Sequence, residues 1–418
     1  MHVAHVVHRY LPGLLTGSAV YMQKLSEGLN ERTNTVSVVT SNALDGVALT
    51  NPWSGSLSMR SFEKINGVNT YRFPIDYHVQ ASCKFFNGVL EKYIPGFKFD
   101  IARLFALRPF MLRMYFYLAS NQGAYDLVHA TPFPFVHTWL AAKACQKSKT
   151  PFVVTPFFHI NMMEYYNQEL IAVLRNADAV FACTDIERNV LINLGVHREK
   201  IKIVPMGINE KEFDGCSGER FRNKFDLDGK FLILFAGSKS YDKGAVHVLN
   251  VVEKLAEKRN DVVLVAMGSD TVEWTSAVRG TRKKSFLLDL PYTSGVEKAD
   301  VFDACDVLVM PSRADAFGIV YLEAWCRGKP VIGAKCGGVP AVISDGVDGF
   351  LVKFGDLGDI KARINLLINS PALAEKLGGM GRKKVIANYT WPTIVDDVER
   401  IYEEIIAQKI EIGVEQNF

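Results

Sequence analysis

Short apolar runs rich in β-branched residues recur along the chain, each followed by a polar loop and then by apolar residues at helical spacing. Residues 3–7, 36–40, 68–73, 126–130, 151–155, 179–183 and 201–204 read as strands in the first half. Residues 231–236, 262–267, 285–289, 307–310 and 329–333 continue the series in the second half. Between them the spacing predicts helices over 19–29 (Val20, Met22, Leu25, Leu29), from the Lys243-Gly244 turn to about 258, and from near 318 to about 327. After residue 352 helices are predicted over 357–369, 372–388 and 391 to about 408. Strands that alternate with helices in this way build doubly wound α/β layers.

At 418 residues the chain is too long for one comfortable core and predicts two such domains. The boundary falls at Pro205-Met206-Gly207-Ile208-Asn209, giving 1–206, 207–390 and a closing helical segment 391–418. The 48% hydrophobic and 22% charged content is that of a soluble globular protein, and a net charge of +3 is too small to point to nucleic acid. Seven scattered cysteines without a C-x-x-C argue against a disulfide framework or a zinc site and fit a reducing compartment. The chain enters its first strand at once, without a signal-peptide pattern, and no apolar run approaches the roughly 20 residues that span a bilayer. The expectation is a cytoplasmic protein.

Candidate chemistry gathers between residues 310 and 352. Pro311 and Ser312 end a buried strand, a loop carries Arg313, Asp315 and Phe317, and a helix opens near Gly318. Free amides at a helix start seat anions such as phosphate. Asp315 precedes that helix and Glu323 lies about one and a half turns inside it, so both carboxylates are expected to face one cleft at a strand's carboxyl end. Gly337-Gly338 is expected to let the backbone approach a ligand closely. In the loop after 231–236, Lys243 beside Gly244 is placed to clamp a diphosphate. His159 sits at the carboxyl end of another strand.

The pattern PS-x-x-D-x-FG-x-x-x-LEA, then G-x-PVI, GG-x-P and DG-x-x-GFLV, resembles the donor-binding segment of retaining GT-B glycosyltransferases of the GT4-like family (glycosyl transferases group 1). The resemblance covers nearly the full chain and is strongest from 231 to 352. It implies a GT-B fold, two Rossmann-like domains facing an interdomain cleft, with an acceptor-side first domain and a donor-binding second one. It implies that Asp315 meets hydroxyls of the donor sugar, that Glu323 holds the ribose, and that the helix-start amides of Phe317, Gly318 and Ile319 and the ammonium of Lys243 meet the diphosphate. His159 matches a histidine close to the donor sugar, Leu290 stands where the base is placed, and Gly17 is the surviving half of a Gly-Gly pair, with Thr16 in the other place. Ser238 stands where the family has an arginine, and Lys239 is the candidate substitute. Asp315 itself replaces the usual glutamate, one methylene shorter. No essential metal and no cofactor beyond the nucleotide-sugar substrate are implied.

The expected activity is sugar transfer from a nucleotide-diphosphate donor, UDP by default, to the hydroxyl of a glycan or lipid-linked acceptor. The departures at Thr16, Ser238, Asp315 and Ala341 also fit an inactive nucleotide-sugar-binding partner. Between residues 84 and 117, Lys84, Lys92, Lys98, Arg103, Arg108 and Arg113 interleave with Phe85, Phe86, Phe97, Phe99, Phe105, Phe110, Tyr115 and Phe116. That stretch reads either as a basic surface seated on an anionic membrane, making the protein peripheral on its inner face, or as core aromatics with solvated cations.

Overall fold

The computed structural model describes the chain apart from residues 14–16, 80, 84, 86–103, 105–106, 161, 282–284, 314 and 416–418. It divides into two compact units, Met1–Pro205 together with Ile394–Phe418, and Met206–Thr393. The first holds an eight-stranded sheet: β1 (His2–Val7), β2 (Thr35–Ser41), β3 (Phe62–Ile65), β4 (Val68–Phe73), β5 (Leu127–Thr131), β6 (Phe152–Val154), β7 (Ala179–Ala182) and β8 (Ile201–Ile203), in the order 3-4-2-1-5-6-7-8. All neighbours are parallel except β3 and β4. β5, β6 and β7 are buried along their whole length, as continuous apolar runs require when helices cover both faces. β3 is the strand of this sheet that the hydrophobic pattern does not announce. Phe62 is 49% exposed, and the hairpin is made by Asn66-Gly67, both at positive φ.

The second unit carries a six-stranded, all-parallel sheet of β9 (Phe231–Ala236), β10 (Val262–Met267), β11 (Leu287–Leu290), β12 (Val307–Met310), β13 (Val331–Ala334) and β14 (Gly349–Val352). Its order is 11-10-9-12-13-14. Side chains cap the helices Gly218–Lys224, Val272–Gly280 and Leu357–Asn369: Ser217, Thr271 and Asp356 each accept an amide of the first turn.

The last helix runs from Trp391 to Glu415, past the expected end near 408. An ion pair from Lys409 to Asp178 (3.0 Å) ties down the added turns. From Ile394 on, this helix belongs to the first unit. Arg32 reaches Asp396 and Glu399, each at 2.5 Å. Gly28 leaves room for Val395, since a Cβ there would lie 2.7 Å from its Cγ2. Deeper in, the Tyr402 hydroxyl lies 3.2 Å from His5 Nε2 and 2.5 Å from His129 Nδ1, and the remaining ring nitrogens meet Ser26 and Thr155.

Among the described residues no helix is long and apolar enough to cross a membrane. Most of the basic-aromatic stretch, including Lys84, Lys92, Lys98 and Arg103, lies outside the described residues. In the described part, Phe110, Met111 and Met114 are core, while Arg113 and Phe116 are exposed.

Burial holds both histidines of the Tyr402 network neutral, His5 down to about 3 and His129 well below 6.5. Unfolded, each takes up a proton near 6.5, so the stability they contribute is complete above that pH and is lost as pH falls below it. The expected slope is about 1.4 kcal/mol per pH unit for each histidine. Urea unfolding between about pH 7.5 and 5.5 checks the sign. Tyr402→Phe, which strips a partner from both rings, should lower stability at pH 7.5 by about 1–3 kcal/mol.

Candidate functional site

In an open α/β sheet, ligands bind beyond the carboxyl ends of the strands where the strand order reverses. In the second unit that reversal falls between β9 and β12, which pair directly. The loops leaving these two strands, 237–244 and 311–318, carry most of the candidate residues.

The first loop ends at Gly244, which caps the helix Ala245–Ala256 with φ +82°. A Cβ there would lie 2.7 Å from the Pro311 carbonyl oxygen, so glycine lets one loop close on the other. Further bonds tie them. Arg313 donates from Nε to Asp242 Oδ1 (2.9 Å) and from its backbone N–H to the Asp242 carbonyl (2.9 Å), with its guanidinium over the Phe354 ring at 5.4 Å. Lys243 Nζ forms an ion pair with Asp315 Oδ1. The other oxygen of that carboxylate, Oδ2, is buried and has no hydrogen-bond partner among the described residues.

Lys239 does not stand in for the missing arginine. Its side chain is 1% exposed, with the ammonium held between Asp270 and Asp289. Asp289 also accepts the Trp274 Nε1–H at 3.0 Å, and the ammonium lies 5.6 Å from the center of that indole ring. A point charge goes where carboxylates are nearest, and here they lie beside β10 and β11. Ser238 is exposed and Leu290 half-buried at the end of β11.

The second loop leads through Phe317, buried against Tyr389, to Gly318 and the helix Ile319–Cys326. Tyr321 anchors this helix by donating to the Met310 carbonyl at 2.7 Å. Gly337-Gly338 makes its close approach to the protein's own backbone. The Gly338 N–H donates to the Asp315 carbonyl (2.8 Å), and a Cβ on either glycine would lie within 2.2 Å of a carbonyl oxygen in the Asp315 loop. Glu323 is buried and paired with Lys298, from the helix Gly295–Ala304. Burial pulls the Lys298 ammonium down, but Glu323 outweighs it and the pKa is raised. The sequence reading missed Lys298: it lies 25 residues before Glu323, and no local spacing connects the two.

His159 and Gly17 belong to the first unit. Gly17 is the exposed first residue of the helix Gly17–Asn30, and Thr16 lies outside the described residues. His159 follows β6, half-buried, its ring 5.4 Å from that of Tyr165. Among the described residues no three His, Cys, Asp or Glu side chains gather as a metal ion would require.

The two loops of the second unit lie in a segment matched by the family model for glycosyl transferases group 1, over residues 217–384, and the model for glycosyltransferase family 4 matches 15–212. The chain belongs to the GT4-like glycosyltransferases. An uncharacterized glycosyltransferase of Methanocaldococcus jannaschii is 23% identical over 96% of this chain and 98% of its own. The MMP α-(1→4)-mannosyltransferase of Mycolicibacterium hassiacum is 24% identical over 94% of this chain and 95% of its own. The solved structure of Anabaena HepE in complex with UDP superposes with a TM-score of 0.72 at 17% identity, covering 97% of this chain and 100% of that one. The fold of this glycosyltransferase is therefore GT-B.

The placement of Lys239 makes a prediction. Lys239→Met should lower stability by about 1–3 kcal/mol, since its carboxylate partners lose their counterion but still reach water. UDP affinity should change less than two-fold, roughly the scatter of such measurements. Urea unfolding and calorimetric titration of the same variant check both.

Proposed function

We propose that this glycosyltransferase moves a sugar from a nucleoside-diphosphate donor, UDP-linked by default, to the hydroxyl of a glycan or lipid-linked acceptor, with the anomeric configuration retained and no metal required. The observation that carries the reading is the Asp315 carboxylate, with one oxygen on Lys243 and the other buried without a donor among the described residues. An unpartnered buried oxygen is costly, and a sugar hydroxyl is the donor that would satisfy it. Lys243 and the helix-start amides around Phe317, Gly318 and Ile319 would meet the diphosphate. Glu323 would accept both ribose hydroxyls while its ion pair with Lys298 holds it in place. His159 is taken as the residue that the family resemblance sets beside the sugar. The bond from the anomeric carbon to the diphosphate oxygen breaks, one to the acceptor oxygen forms, and the acceptor's hydroxyl proton passes to the departing diphosphate. The charge released onto the diphosphate falls where the cation and amides lie. The complexes of HepE with UDP and with UDP-glucose support UDP as the first nucleotide to try.

Incubation with UDP-, GDP- and ADP-sugars, followed by nucleotide release, tests the activity; binding without release under turnover would favour a non-catalytic partner. Lys243→Ala should weaken UDP binding by about 1.5–3 kcal/mol and leave uridine binding nearly unchanged. Equal losses for both ligands would put Lys243 outside the phosphate site.

The two acids should separate in titrations with free UDP. Glu323→Gln should weaken UDP binding modestly and Glu323→Ala by about 1–3 kcal/mol. Asp315→Asn should abolish most transfer while leaving UDP affinity intact or higher, because it removes the charge that competes for Lys243. Equal losses of UDP affinity in Asp315→Asn and Glu323→Gln would refute this division of roles.

A further inference from the structure

Beyond β6 the chain makes a turn that is costly to hold. Phe157 has φ +49°, a left-handed conformation that bulky side chains seldom adopt. Its ring is buried edge-on against Tyr21, with centroids 5.2 Å apart. Phe158 is buried as well, edge-to-face with Tyr165 and Tyr166. His159 comes next, and it is the residue that this turn brings toward the surface.

A carboxylate from a neighbouring helix grips the turn. Glu187 lies in the first turn of the helix Asp185–Asn193, whose N-cap is Thr184. Glu187 Oε1 accepts the Phe158 N–H at 2.7 Å, and Oε2 accepts the Cys183 N–H at 2.7 Å. The T-x-x-E spacing is that of a capping box, in which the glutamate would bond the N-cap amide. Here it bonds the amide one residue earlier and gives its other oxygen to the turn before His159. The side chain is fully buried, and burial pushes its pKa up to about 7 against the two amides that lower it. A helix start can be capped without sinking a carboxyl group into the core; joining β6's outgoing turn to β7's is what requires this one.

We propose that Glu187 is a positioning residue for the transfer reaction, locking the Phe157–Phe158 turn so that His159 is held at one reach and orientation. This rests on the reading of His159 as a residue beside the donor sugar. Glutamine cannot do the same work. It offers one acceptor oxygen, and its NH2 group would face the second backbone N–H donor to donor.

The test is a double-mutant cycle of Glu187→Gln and His159→Ala, followed by nucleotide release from the donor sugar that the panel above selects. Glu187→Gln should lower kcat by about 10–100-fold, the cost of misplacing a reacting group by an ångström or less. The donor KM and the UDP dissociation constant should hold within about two-fold, since the proposed nucleotide contacts belong to the other unit. The double variant should be no slower than His159→Ala alone, because Glu187 acts only through His159. Losses that multiply would overturn the proposal, as would an impaired His159→Ala beside a normal Glu187→Gln. A wild-type kcat in His159→Ala would instead overturn the reading of His159, and the proposal with it. If Glu187→Gln fails to fold, as judged by its circular dichroism, Glu187→Asp takes its place in the cycle: it keeps the charge but falls one methylene short, and the same outcomes decide.

Discussion

The ion pair between Lys243 and Asp315 joins the loops that leave two adjacent strands, and the candidate donor site is arranged around it. Each loop alone would be a mobile connection. Together with Arg313 on Asp242 and the glycine contact at Pro311, the pair makes one rigid lip. The same arrangement repeats a step away, where Lys298 holds Glu323. Both acids with proposed roles are therefore already engaged with a cation before any ligand arrives. On the proposed roles, donor binding would be an exchange of partners, in which phosphate competes for Lys243 and ribose shares Glu323. Exchange of this kind lowers net affinity but keeps both carboxylates aimed.

Much of this architecture was legible in the sequence because both sheets are mainly parallel and covered on two faces. Such strands must be continuous apolar runs, and runs like 231–236 and 262–267 cannot be mistaken. β3 escaped because a half-exposed antiparallel edge strand needs no such run. Asp315, Glu323 and Lys243 were legible as residues because their spacing to glycines and helix starts is local. Their partners were another matter. The pairing of Lys243 with Asp315 spans 72 residues, and Lys239 was drawn inward by Asp270 and Asp289, 31 and 50 residues away. The glycine pair at 337–338 is expected to approach a ligand, and what the structure shows approaching it is the Asp315 loop. Sequence spacing identifies groups able to bind; only the fold decides which of them are already bound to each other.

The Tyr402 network carries a further consequence, which concerns the direction of its protons. Ser26 Oγ lies 2.6 Å from the Met22 carbonyl, and a carbonyl can only accept, so the serine proton is committed there. His5 Nδ1 must then be the protonated nitrogen that donates to Ser26, which leaves Nε2 to accept from Tyr402. The tyrosine oxygen in turn accepts from His129 Nδ1–H, and His129 Nε2 accepts from Thr155. Five side chains thus form a one-way circuit that starts at a strand end and terminates on a helix backbone, with both imidazoles fixed as the same tautomer. A circuit of this kind has no slack: one extra proton sets two donors head to head at some link. The middle link, Tyr402, is supplied from the far end of the chain, so the first unit is closed by residues that follow Pro205 by nearly two hundred positions, and a fragment ending at Pro205 would lack the piece that gives its buried histidines their polarity.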